Sequence, residues 1–219
     1  MNATRHQAIL LIGPTGSGKT PLGRWMEKYG FNGKRCAHFD FGEALRKAAS
    51  KETFFSLLSE QDLNVLSCVL KEGALLENET FYIAEHILFS FIDQKNFMQD
   101  DQLILNGLPR HVGQAKDLEQ KVLVQKVVHL VCEPEVVFER IRQNTGGDRK
   151  GRIDDSLPEI KRKLTLFSNR TLPLIHFYQK KGVEIIPIEV KADSSAEMMG
   201  QEIRLSAQYQ TIRSCSMVS

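Results

Sequence analysis

Short apolar runs alternate along this chain with longer stretches of helical period. The runs fall at residues 7–12, 36–39, 103–106, 127–132 and 183–188, each closed by turn-forming residues. Between residues 42 and 97, Leu57-Leu58, Leu63, Leu66 and Val69-Leu70, then Ile83, Ile87-Leu88 and Phe91-Ile92, recur at near-helical spacing. This alternation predicts an α/β fold. Because the runs are apolar on both faces, it predicts a parallel sheet covered by helices. Ligands of such sheets gather at the carboxyl ends of the strands. Phe54, Phe55 and Met98 fit helix packing and need no cofactor to explain them. The glycine-rich stretch at 144–151, basic at its end, reads as a hinged cover. The small polar residues from 211 to 219 read as a poorly ordered tail.

Composition narrows the class. The 219 residues, 42% hydrophobic and 26% charged, suit one sizeable soluble core. A net charge of +2 is too small for a nucleic-acid protein, so the basic residues read as local binding groups. Cys36, Cys68, Cys132 and Cys215 lack C-x-x-C spacing, which argues against a metal knuckle or a disulfide scaffold and fits reduced thiols in a cytosol. The N-terminus has no signal core, and no apolar stretch reaches the roughly eighteen residues of a membrane span. A cytoplasmic location without a membrane partner is therefore expected, and a monomer is the expected state. His6, His38, His86, His111, His129 and His176 show no metal-ligand spacing.

The first apolar run leads into Gly13-Pro14-Thr15-Gly16-Ser17-Gly18-Lys19-Thr20, a complete phosphate-binding loop. Its glycines let successive backbone N–H groups turn inward around phosphate oxygens, Lys19 adds a point charge, and the Thr20 hydroxyl can ligate Mg²⁺. A helix over 21–29 would point its positive end at the same phosphates, with Pro21 in a first turn where no donor is lost. A nucleoside triphosphate is the default ligand. A second motif, Leu105-Asn106-Gly107-Leu108-Pro109-Arg110-His111, ends an apolar strand in a tight turn that carries a guanidinium, and Gln114 follows four residues after Arg110. The third is Gly151-Arg152-Ile153-Asp154-Asp155.

Taken in order, these motifs resemble the adenylate kinase family of nucleoside monophosphate kinases. Pro173-Leu174-Ile175, Phe177-Tyr178 and the Gly182 turn extend the likeness, which covers about residues 7 to 190. The resemblance implies a P-loop kinase fold: a five-stranded parallel sheet flanked by helices, with a helical acceptor-binding insertion near 40–75 and a short lid near 143–155. It implies ATP with Mg²⁺ as donor, held by Gly13, Gly16, Ser17, Gly18, Lys19 and Thr20, with Arg140 over the donor adenine. On the acceptor side it implies Arg46, Gly107 and Arg110, with Gln114 reading the base, so that AMP is the first acceptor to test. Lys19, Arg110 and the lid arginine Arg152 would stabilise the moving phosphoryl. Arginine forks suit that task, because phosphoryl transfer needs alignment and charge stabilisation more than covalent help. Considered alone, Arg46 is an ordinary exposed helix arginine, and Asp154-Asp155 an ordinary helix cap.

The chain also departs from the family pattern. Asn106 replaces an aspartate that helps to hold the hydrated Mg²⁺; Asn106 would act only through water, and Asp40 is the nearest acid to compensate. Phe41 stands where a threonine usually lies beside the acceptor base. Asn144 and Lys163 stand at arginine positions, and lysine keeps the charge but loses the bidentate fork. Arg149, in a slightly lengthened lid, is the candidate for the missing guanidinium. The lid lacks the cysteines of a zinc-bearing form, so no structural metal is expected. Three readings stay open: a nucleoside monophosphate kinase, a phosphate-loop kinase with another acceptor such as UMP, CMP or a small hydroxyl metabolite, and a catalytically weak nucleotide sensor.

Overall fold

The computed structural model describes residues 5–50, 58–149 and 155–216. All five apolar runs are strands: β1 His6–Ile12, β2 Cys36–Asp40, β3 Gln102–Asn106, β4 Val122–Val131 and β5 Glu184–Glu189. They form one parallel sheet in the order β2-β3-β1-β4-β5. Connections from β1 run toward one edge and those from β3 toward the other. A crevice therefore opens at the carboxyl ends beside β1, the place where such sheets bind ligands.

The helices in chain order are α1 Lys19–Tyr29, α2 Phe41–Ala49, α3 Glu60–Glu72, α4 Phe81–Gln94, α5 Val112–Leu118, α6 Pro134–Gln143, α7 Leu157–Leu166, α8 Pro173–Lys180 and α9 Ala196–Ser216. The period-2 alternation of side chains on β1 feeds two cores. Ala8, Leu10 and Ile12 pack with Ile83, Ile87 and Leu88 of α4, Ala115 of α5 and Leu174 and Tyr178 of α8. Ile9 and Leu11 pack on the other face with Leu22 and Met26 of α1 and Met199 and Ile203 of α9.

Local signals explain the element boundaries near the crevice. α1 starts directly at the end of the glycine-rich loop, with Gly18 left-handed at φ 99°, and Pro21 lies in its first turn as expected. α2 starts at Asp40, whose side chain accepts the Glu43 amide, and α3 opens with a Ser59/Asp62 capping box. Close approach of α1 to β2 requires a glycine. A Cβ on Gly23 would sit 2.2 Å from the buried His38 ring. Gly23→Ala is therefore expected to cost about 1–3 kcal/mol through overpacking, read as a lower melting temperature.

Two expectations change. β4 begins at Val122, five residues before the apolar run at 127–132, because its half-exposed first part, with Leu123 and Gln125 outward, pairs in register with His6–Ala8 of β1. The helix α9 runs to Ser216, so residues 211–216 have helical backbone rather than the loose conformation expected of a tail. Its Ala, Gln and Arg content carries little helix penalty. Residues 51–57, in the expected acceptor insertion, 150–154, in the expected lid, and 217–219 lie outside the described residues.

Candidate active site

The carboxyl ends of β1, β2 and β3 open into a cleft of about 230 Å³, lined from the loop side by Thr15, Gly16, Gly18, Lys19 and Thr20. Gly16 and Gly18 hold φ of 75° and 99°, which side chains resist, and a Cβ on Gly13 would stand 2.7 Å from Ser17 Oγ and 2.9 Å from Leu130 Cβ. Ser17 is fully buried, and its hydroxyl has no hydrogen-bond partner among the described residues. Lys19 Nζ folds back onto its own loop, donating to the carbonyls of Gly13 and Pro14 at 2.7 Å each. Burial, then the nearby Arg110 and Arg149 charges, push its pKa down to about 7, although Asp40 pulls the other way.

Thr20, the next residue, joins a buried polar knot. Its hydroxyl donates to Asp40 Oδ2 at 2.5 Å and accepts from Asn106 Nδ2 at 3.0 Å. Burial pushes the Asp40 carboxyl up, but the hydrogen bonds from Thr20 and the Glu43 amide outweigh it, and the carboxyl sits below the ordinary aspartate range. His38 is held toward its neutral form by burial.

Away from the loop, on the side expected to take the acceptor, Arg46, Gly107, Arg110 and Lys163 line the same cleft. Gly107 adopts φ 82° and lets the chain turn sharply off β3. The backbone of Arg110 is clamped from both ends: its N–H donates to Gln114 Oε1 at 2.7 Å, and its carbonyl accepts from the Thr171 hydroxyl at 2.8 Å. Burial lowers the pKa of the guanidinium, a cost that a bound anion would relieve. Gln114 itself is fully buried, and its Nε2 donates to the Leu76 carbonyl at 2.8 Å, beside His111 Nε2 at 3.2 Å from the same oxygen. From sequence, Gln114 is expected to read the acceptor base. In this conformation both ends of its amide tie the arginine turn to the segment before α4, and it does not line the cleft.

The lid side brings Arg149 to the loop. Its Nη2 donates to Thr15 Oγ1 at 3.1 Å, its Nε to Asp155 Oδ2 at 2.8 Å, and a second bond joins Nη2 to the other Asp155 oxygen. The pair is a bidentate fork with Arg149 only 7% exposed. Asn144, left-handed at φ 50° after α6, accepts the Arg149 backbone N–H at 3.1 Å. Asp155 thus binds the arginine, while the N-cap of α7 is Ser156. Arg152 lies outside the described residues.

Arg140 differs from expectation. Its side chain is 2% exposed, so the guanidinium offers no open face to a base in this conformation. Instead Nε donates to the Gly16 carbonyl at 3.0 Å, and Nη1 to those of Lys191 and Ser194 at 2.7 and 2.9 Å. It fastens the phosphate loop to the segment that enters α9. Long-range carbonyl acceptors of this kind leave no trace in local spacing. The same holds for Thr171, whose clamp on Arg110 spans 61 residues. Thr15 was legible only as a loop residue, since its contact with Arg149 spans 134 positions.

Comparison with known proteins agrees with this geometry. The family model described as "Adenylate kinase" matches residues 11–183. Adenylate kinase isoenzyme 5 of Mus musculus is 30% identical over 196 residues, which are 88% of this chain and 31% of that protein. Adenylate kinase isoenzyme 1 of Rattus norvegicus is 27% identical over 91% of this chain and 93% of its own length. The adenylate kinase of Mesoplasma florum is 27% identical over 89% of this chain and 97% of its own. This chain therefore spans about a third of the isoenzyme 5 relatives and nearly all of the isoenzyme 1 and Mesoplasma florum ones. With the family model matched over residues 11–183, which include the loop and the arginine turn, the chain belongs to the adenylate kinase family.

Proposed function

We propose that this protein transfers the γ-phosphoryl of ATP to the phosphate of a nucleoside monophosphate, with AMP the first acceptor (ATP + AMP = 2 ADP). The supporting observation is that Lys19, Arg46, Arg110 and Arg149 line one cleft at the strand ends. In this reading the loop backbone and Lys19 hold the donor phosphates, Arg46 and Arg110 grip the acceptor phosphate, and Arg149 and Arg152 stabilise charge on the phosphoryl in flight. Thr20 and Asp40 present a hydroxyl and a carboxylate oxygen side by side, a donor set that suits Mg²⁺; the ion neutralises phosphate charge when bound. Closure of the lid excludes water, which would otherwise compete with the acceptor as nucleophile. A cytoplasmic monomer belongs to the same proposal. Among the described residues, no helix is long and apolar enough to cross a membrane.

A coupled assay with ATP, Mg²⁺ and a panel of AMP, CMP, UMP, GMP and dTMP tests this. Turnover with AMP above the others is expected. Because the Gln114 amide is already engaged and Phe41 borders Gly107, a pyrimidine monophosphate is the second reading, and the panel separates the two. ATP binding without transfer to any acceptor would point to a sensor.

Lys19 supplies a pH test of donor binding. Burial and the neighbouring arginines hold its pKa at about 7, so near pH 8 the amine is mostly neutral. A triphosphate beside it favours the ammonium, so ATP binding near pH 8 is expected to take up about one proton, falling toward zero near pH 6. Calorimetry in buffers of different ionisation enthalpy measures this, and uptake that ignores pH would rule it out. For stability the sign is opposite to that of a paired lysine. The penalty for the buried ammonium is complete below about pH 7 and fades as pH rises toward the ordinary value of 10.5.

A further inference from the structure

We infer that Asp40 is the acid that, together with Thr20, holds the magnesium ion of the bound nucleotide, an assignment that rests on reading residues 13–20 as the donor loop. In phosphate-loop enzymes the ion is held by the loop hydroxyl and an aspartate near it. Here the residue beside Thr20 at the end of β3 is the amide Asn106. The carboxylate comes from β2, one strand over, where Asp40 is the register partner of Asn106.

The hydrogen bonds divide the work within this carboxylate. Oδ1 accepts the Glu43 amide at 3.0 Å, which caps α2 and fixes the side chain. Oδ2 accepts from the Thr20 hydroxyl at 2.5 Å and from Asn106 Nδ2 at 2.9 Å. The charge on Asp40 sets the orientation of Asn106, since a flipped amide would press its own oxygen against the carboxylate. Asn106 Nδ2 also donates to Thr20 Oγ1 at 3.0 Å. With its proton on Asp40 and one lone pair on Asn106, the Thr20 hydroxyl keeps its second lone pair for a cation. Thr20 and Asn106 are 9% and 4% exposed, so this orientation is protected from competing water, while Asp40 still lines the cleft with Lys19. A hard hydroxyl and a hard carboxylate beside a phosphate cradle match an ion that binds through few protein ligands and keeps several waters. Asn106 is then a positioning residue, and Asp40 supplies the charge.

A purely structural Asp40 would do no more than cap α2. Asp40→Asn separates the roles, because asparagine caps helices as well as aspartate does but carries no charge. The experiment measures the ATP dissociation constant of the full chain with excess Mg²⁺ and with a chelator, for the wild type, D40N, and the swap D40N/N106D. The Mn²⁺ electron paramagnetic resonance spectrum of each ATP complex is recorded alongside. Magnesium should tighten ATP on the wild type. In D40N that gain should fall about tenfold or more, with weaker Mn²⁺ retention, while affinity in chelator should not weaken, because a negative charge beside the phosphates has been removed. The swap, which returns a carboxylate beside Thr20, should recover most of the gain; if D40N alone melts early, its ATP affinities and Mn²⁺ spectrum are taken well below its melting temperature. A wild-type gain persisting in D40N, or no gain in the wild type, overturns the assignment. These readouts do not involve an acceptor. Loss of the gain in D40N with no monophosphate phosphorylated would sink the proposed transfer and leave Asp40 assigned; an active wild type with a neutral D40N would do the reverse.

Discussion

Replacing Arg149 by alanine is expected to lower the turnover number about a thousandfold, with a much smaller change in the KM for ATP. The reason lies at two positions where the resemblance implies a guanidinium and this chain has none. Asn144 is an amide, and Lys163 presents a point charge to the cleft without the planar fork that matches two phosphoryl oxygens. Arg149 follows α6 in the segment expected to form the lid, is oriented by both oxygens of Asp155, and touches the phosphate loop through Thr15. A guanidinium held in this way needs little reorganisation when charge develops on the transferred group. Arg149→Lys should retain only part of the rate, because one ammonium cannot keep both the Asp155 fork and the loop contact. In the Arg149→Ala background, Asn144→Arg should restore some turnover by placing a guanidinium where the lid begins. Single-turnover kinetics with saturating ATP and acceptor decide the matter. A turnover in Arg149→Ala within a fewfold of the wild type would falsify the assignment and return the weight to Arg152.

The second large effect is on stability. Arg140→Ala is expected to remove about 3 kcal/mol or more, because the carbonyls of Gly16, Lys191 and Ser194 lose a charged donor in a buried place. For a domain of this size that is roughly 6–12 °C in melting temperature. The loss should extend to the donor site. Gly16 is part of the phosphate cradle, so a loosened loop binds ATP more weakly as well. A role confined to covering the adenine predicts something different: a raised KM for ATP with an unchanged melting temperature and unchanged affinity for inorganic triphosphate. Thermal melts of Arg140→Ala and Arg140→Lys, paired with triphosphate binding, separate the two. The lysine variant should recover only part of the loss, since one ammonium cannot span the acceptors that the guanidinium bridges from Gly16 to Ser194.

What was readable from sequence follows the range of the forces involved. Strand positions came from apolar runs, because a strand buried on both faces must be apolar whatever its neighbours are. The phosphate loop came from spacing, because the left-handed backbone at Gly16 and Gly18 is a property of those residues themselves. β4 is marked too late by the apolar run at 127–132, for the opposite reason. Its first residues alternate polar and apolar, and only pairing with β1 makes them a strand. Arg46 and Arg110 reached the expected cleft, whereas Arg140 and Gln114, chosen by the same resemblance, are engaged with carbonyl groups far along the chain.

The sequence by itself determined the parallel α/β sheet, the glycine-rich loop at the end of β1, and the family of the chain, since each rests on local backbone preference or on motif order. Only the tertiary structure decided which polar groups remain available to a ligand. Whether Gln114 faces a base or Leu76, whether Arg140 covers a ring or holds Gly16, and whether Asp40 stands beside Thr20 depend on contacts between residues 20 to 124 positions apart. The physical cause is that a buried donor or acceptor must be satisfied by whatever the fold brings within about 3 Å, and sequence spacing says nothing about what that will be.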